Sequence, residues 1–174
     1  MAAATVILSI IPDASSRKHI WFKACFRQGG SQSVMTAYNM LDGTPCTANS
    51  RLNIEKLRRE WGFDGFTIAD ADAVGIIHKL HHTIGNRAEA GAAAVNNGLD
   101  VIFQTTYGEH EPFLEACRSG LITEEALNRA VRQVLKAKFR LGLFDRPYVD
   151  EREADRWNAC AAHRALTREA ACRS

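Results

Sequence analysis

Short apolar segments close at residues 38, 70 and 103, and the stretches between them are patterned as helices. Tyr38 to Asp70 and Asp70 to Ile102 each span 32 residues, so the chain repeats one strand-and-helix unit. Strands joined through a helix run parallel, because the crossover returns the chain to the same end of the sheet. A parallel sheet is covered by helices and carries its ligand site outside the carboxyl ends of its strands. The repeat therefore predicts an α/β fold with parallel strands near 33–38, 65–70 and 98–103.

The punctuation supports that reading. Residues 17–28 form a helical pattern with Trp21, Phe22, Cys25 and Phe26 on one face, closed by Gly29 and Gly30. Ser50 is placed to cap a helix in which Ile54, Leu57 and Trp61 share a side, and Gly62 ends it. Asp42-Gly43 and Asp64-Gly65 mark turns. Asn86 and Glu89 stand at capping-box spacing before a small-residue helix over 88–96. A long last helix begins at Thr123, and its stripe of Leu127, Ala130, Val131, Val134 and Leu135 is expected to pack.

The ends are read differently. Residues 2–11 leave two interpretations: a further strand over 5–11 stopped by Pro12, or the apolar part of a secretory signal. Against the signal stands the absence of any Lys or Arg before Arg17. Past Pro147 the chain mixes charges and alanines, with Trp157 and Leu166 as its large apolar anchors, and reads as a tail helix. The expected organisation is thus a segment 1–16 of uncertain status, a domain over 17–149 and a tail helix over 150–174.

Composition excludes several classes. With 46% hydrophobic and 24% charged residues the chain has a globular balance. Its net charge is 22 − 20 = +2, without a dense basic run, so no nucleic-acid partner is expected. No apolar stretch is long enough for a bilayer-spanning helix, so no membrane partner is expected either. The five cysteines, odd in number and never C-x-x-C, suggest neither a disulfide framework nor zinc. His78, His81 and His82 cluster without a carboxylate or thiol at ligand spacing, so no metal or cofactor is expected. At 174 residues the chain falls below the roughly 250 of a closed eight-unit barrel. A partial (β/α) barrel of the TIM type is the expectation.

The strand ends bring Tyr38 and Asp70 to one rim. A carboxylate that closes a buried apolar strand needs compensating partners. It serves either as a catalytic group, as such rims often do, or as a structural acceptor for an amide of the next loop. Asp72 is a rival that suits the cap of the following helix, and Asp100 lies inside its strand and reads as structural.

Four stretches resemble glycoside hydrolase family 3. Ser33-Val34-Met35-Thr36-Ala37-Tyr38-Asn39 with Asp42-Gly43-Thr44-Pro45 is similar to the family's V-M-S-A-Y-N…N-G-x-P segment. Leu57-Arg58-Arg59-Glu60-Trp61-Gly62-Phe63-Asp64-Gly65-Phe66 looks like L-R-x-E-W-G-F-x-G-F, which leads there into S-D-W with the nucleophilic aspartate; Asp70 occupies that slot. Residues 90–103 resemble the A…A-G-x-D-x-x-M region, and 132–149 resemble V-x-R-V-L-x-x-K-F-x-L-G-L-F-D-x-P-Y-V.

The resemblance implies a retaining β-glucosidase or β-xylosidase acting on a carbohydrate substrate. Asp70 would attack the anomeric carbon, and Tyr38 would hydrogen-bond that carboxylate. Met35 would wall the sugar pocket, or else line a core strand. Where the family has Ser and Trp around the nucleophile, this chain has Ala69 and Ala71, which removes a stacking surface. Lys18-His19 spells the family's sugar-binding pair but lies on a helix, so the role is not carried over. The general acid/base comes in most members from a following domain, leaving Glu109, His110 and Glu111 as local candidates. With the first barrel half absent, these residues alone are expected to turn over weakly or not at all, or to form a silent module that binds sugar weakly. The exposed sheet edges of a half barrel suit a homo-oligomer that completes it.

Overall fold

The computed structural model describes residues 5–8, 18–104 and 107–173. They fall into two compact units, one ending at Ala137 and the other spanning Lys138–Ser174. In chain order the first unit holds β1 (Thr5–Leu8), α1 (Lys18–Arg27), β2 (Ser33–Thr36), a hairpin of β3 (Met40–Leu41) and β4 (Thr44–Pro45), and a π-type helix (Arg51–Glu60). There follow β5 (Phe66–Ala69), α2 (Ala73–Lys79), α3 (Arg87–Asn96), α4 (Glu111–Arg118) and α5 (Glu124–Arg140), the last running past the boundary between the units.

The fold is α/β. β1, β2 and β5 lie side by side in that order, all parallel, with Val34 opposite Thr67 and Thr36 opposite Ala69. The expected strand near 33–38 forms over its first four residues, and the one near 65–70 over its central four. Of the expected strand over 5–11, Thr5–Leu8 is present and residues 9–11 lie outside the described ones. Asp42 and Gly43 both adopt positive φ, 50° and 76°, the geometry of a tight turn whose twist suits a hairpin.

The strand expected over 98–103 is a correction. Val101 alone bridges Ile68 in parallel, donating to Thr67 O at 3.0 Å and accepting from Ala69 N at 3.0 Å. Side chains interrupt the ladder on both sides. The Thr67 amide donates to Asp100 Oδ2 at 2.8 Å, and the Ala71 amide donates to Asp70 Oδ1 at 2.7 Å. Pairing resumes one residue out of step, where the Asp72 amide reaches Phe103 O at 3.0 Å. A carboxylate that captures an amide ends the strand as surely as a turn does.

Alternation sorts the sheet faces. Val34 packs with Leu52, Leu57, Trp61 and Phe63, joined by Phe22 and Phe26 from α1, while Ala69 packs with Val74, Ile77, Ala90, Leu99 and Phe113. The helical layer thus covers the Val34–Thr67 and Thr36–Ala69 side. Met35, Ile68 and Val101 are half-buried and align across the opposite face.

Two local expectations change. Asn49 rather than Ser50 satisfies the start of the π-type helix, its Oδ1 accepting from the Leu52 amide at 3.2 Å, whereas Ser50 makes no capping bond. Along α5 the buried residues are Ala126 and Ala130, while Leu127, Val131 and Leu135 are 39%, 48% and 41% exposed. The cap of α3 is as expected, with Asn86 Oδ1 accepting from the Glu89 amide at 2.9 Å.

The second unit contains α6 (Glu151–Trp157) and α7 (Ala161–Arg173), two helices where a single tail helix is anticipated. Ala159, at φ 51°, breaks the run between them. No described residue of this unit is buried. No helix among the described residues is long and apolar enough to cross a membrane.

One buried ion pair ties the first unit together. Arg58 of the π-type helix donates to Asp100 Oδ2, an oxygen that also accepts from Thr67 N and from Thr67 Oγ1 at 3.2 Å. The Asp100 side chain is fully buried and that of Arg58 nearly so. Removing one partner strands the other charge in a medium that cannot solvate it. Asp100→Ala is expected to cost about 3 to 5 kcal/mol. The double change Asp100→Leu with Arg58→Met should recover most of that loss, both read from urea denaturation midpoints.

Candidate active site

The site is built at the carboxyl end of β2 and β5. β5 is apolar through Ala69, and Ala69 points into the helical core, so Asp70 emerges on the opposite face with Met35 and Ile68. Asp70 is half-exposed, and its own loop holds it, since Oδ1 accepts from the Ala71 amide. From β2 the chain brings Tyr38 across the rim, where its hydroxyl donates to Ala71 O at 2.7 Å, next to Asp70 and close enough to feel its charge. The two residues expected from the sequence are therefore neighbours. Met35 lies on the same face deeper in the sheet, opposite Ile68.

The electrostatics follow. Partial burial raises the Tyr38 phenol above its usual value, and the negative charge of Asp70, its hydrogen bond and the charge of Asp72 raise it further. Tyr38 is thus a neutral donor throughout the physiological range. Asp100 is also raised, by burial in the first place, against the pull of Arg58, Thr67 and Arg129. Its partners and full burial make it a structural group, as the sequence suggests.

The remaining carboxylates of the rim are engaged. Asp72 sits at a left-handed φ of 56° before α2 and makes no capping bond. Instead its carboxylate pairs with Lys79 at 2.9 Å and with Arg87 at 3.3 Å. Arg87 and Lys79 also hold Glu109, at 3.2 and 3.7 Å. This four-charge network crosses from the start of α2 to α3 and to the 3-10 turn (Tyr107–His110) before α4, and its members lie too far apart in sequence for spacing to reveal it. Glu111 pairs with Arg118 at 2.9 Å on the surface. His110 lines an apolar groove between α4 and α5 rather than the rim of Asp70. Lys18 and His19 stand in the first turn of α1.

Other nucleophiles and ligands are accounted for. Burial pushes the Cys46 thiol up to about 11, which keeps it an unreactive thiol. His78 sets Nδ1 against Ile84 O at 3.1 Å. Among the described residues no cluster of His, Cys, Asp and Glu could hold a metal ion.

Comparison with known proteins adds a second line of evidence. Residues 14–137 match the family model described as the glycosyl hydrolase family 3 N terminal domain. β-D-xylosidase 1 of Arabidopsis thaliana is 32% identical over 91% of this chain and 20% of its own length. A periplasmic β-glucosidase of Salmonella typhimurium is 37% identical over 81% of this chain and 18% of its own length. Among solved structures, a β-glucosidase from Erythrobacter marinus superposes with a TM-score of 0.78 at 34% identity, over 85% of this chain and 20% of that one. The chain thus spans about a fifth of the length of the relatives it matches.

The Tyr38–Asp70 contact has a spectroscopic consequence. A phenol whose folded value lies above its unfolded one contributes stability below the ordinary tyrosine range, and that contribution is lost as pH rises through the folded value. Tyr38 should ionise late in an alkaline titration followed by phenolate absorbance, with Tyr38→Phe subtracting its signal. Asp70→Asn removes the neighbouring charge and should bring that transition down toward the ordinary value, though burial keeps it above.

Proposed function

Because residues 14–137 carry the family's domain, the chain belongs to glycosyl hydrolase family 3, and on that footing we propose that Asp70 is the nucleophile of a retaining β-glycosidase site for β-glucosides or β-xylosides. The observation that carries the reading is the junction of Tyr38 and Asp70 at the carboxyl rim of a parallel sheet. On this reading the sheet is part of a (β/α) barrel, in which active sites stand at that rim.

The chemistry runs in two displacements. An Asp70 carboxylate oxygen bonds to the anomeric carbon while the glycosidic C–O bond breaks, and the leaving oxygen takes a proton from a general acid. The sugar is then an ester on Asp70. A water, deprotonated by the same acid/base group, attacks the anomeric carbon from the opposite face and releases the sugar with its configuration retained and Asp70 ionised again. Ala71 N holds one oxygen, and Tyr38 steadies the carboxylate while its charge is consumed and restored. Met35 floors the pocket from β2. No metal or cofactor enters these steps.

The pairing of Asp72, Glu109 and Glu111 with basic side chains favours a second reading, in which the module binds sugar without turnover. The two readings separate on one reagent class. A 2-fluoro glucoside or xyloside with a good leaving group should leave a stoichiometric adduct on Asp70, located by mass spectrometry and absent from Asp70→Asn. Sugar binding with no adduct would select the silent module. The edges at β1 and Val101, which no other described strand covers, also fit self-association into a barrel-like enclosure, which sedimentation should report as a dimer at micromolar concentration; a stable monomer overturns it.

A further inference from the structure

Phe103 is a large aromatic side chain left 45% exposed beside the nucleophile loop. Its carbonyl accepts from the Asp72 amide, so its backbone is fastened two residues from Asp70. Its preceding neighbour Ile102 packs into the helical layer, and Val101 bridges Ile68 on the other face. With Ile102 turned into the helical layer and Phe103 O held by the Asp72 amide, Phe103 stands at the edge of the face shared by Asp70, Ile68 and Met35. On the chain itself Asp70 is flanked by Ala69, which is buried, and Ala71, neither of which offers a flat surface.

We infer that Phe103 is the stacking platform of the sugar site and selects pyranosides whose ring substituents are all equatorial. This rests on the assignment of Asp70 above and adds the group that recognises the ring. An all-equatorial β-pyranoside presents only axial C–H groups to its two faces, which suits the electron-rich face of an aromatic ring. A sugar with an axial hydroxyl pushes a polar group against that ring and strands it from water. Aromatic walls with a few convergent polar groups are the usual make-up of small-molecule sites. Phe103 is a positioning and specificity residue; it touches the sugar and takes no part in bond making.

The test uses the full chain and a ligand it cannot cleave, phenyl 1-thio-β-D-glucopyranoside, with the galacto isomer as its axial counterpart. Saturation transfer from protein to ligand should be strongest at the axial ring hydrogens of the gluco compound, and the gluco compound should bind better. Phe103→Ala should abolish that pattern, weaken gluco binding about tenfold and erase the preference over galacto. Phe103→Tyr should keep all three, and Phe103→Leu, apolar without a ring face, should fall with the alanine variant. Thermal melting of each variant separates lost folding from lost binding. Unchanged gluco binding in Phe103→Ala, or equal behaviour of the leucine variant and the native chain, overturns the platform. Labelling of Asp70 by the 2-fluoro reagent reports separately on the nucleophile: a native adduct with an indifferent Phe103 leaves that assignment standing, while a ring pattern with no adduct leaves the platform standing without it.

Discussion

A single carboxylate oxygen, Asp100 Oδ2, sets the frame on which the site depends. It gathers the guanidinium of Arg58, the amide of Thr67 and the hydroxyl of Thr67, so one point joins the π-type helix, β5 and the segment that follows α3. Taking two charges out of water is expensive, and burial accordingly lifts the Asp100 carboxyl above its ordinary range. Thr67 reinforces the pair by donating its hydroxyl to Gly98 O at 2.9 Å, where Gly98, at φ 107°, turns with Ile54 and Asn53 pressed against it. A side chain there would meet both the strain of that φ and the atoms of the π-type helix.

The rim inherits this register. Once Val101 is set against Ile68, Asp70 and Phe103 come to the same edge, and the chain leaves the ladder through the Asp70–Ala71–Asp72 slip. Displacements of this kind re-aim a side chain next to a site. Asp70 keeps one oxygen on its own loop and stays half-exposed, while Asp72 and Glu109 are spent on Arg87 and Lys79. Two carboxylates two residues apart thus do different work: one is free to meet a ligand, and the other braces the loop that presents it.

Membership of glycosyl hydrolase family 3 rests on residues 14–137, the stretch that carries this geometry. The residues here cover about a fifth of the length of the relatives, and within that share Tyr38 and Asp70 meet at one rim with Phe103 exposed nearby. The apolar flank of α5, exposed at Leu127, Val131 and Leu135, and the half-buried face of Met35, Ile68 and Val101 mark surfaces that the described residues cover only in part.

Much of this was legible from spacing. The pitch of 32 residues places Tyr38 and Asp70 at one rim because a parallel crossover admits no other arrangement, and the Asn86–Glu89 cap is written in two residues three apart. What spacing leaves open is where amides go. The loss of the third strand, the capture of Thr67 N by Asp100, the capping of Asn49 in place of Ser50 and the Asp72–Lys79–Arg87–Glu109 network all turn on which partner lies within hydrogen-bonding reach. Periodicity along the chain dictates which face a side chain takes, and folding alone brings distant charges and amides to within about 3 Å of each other, where they compete.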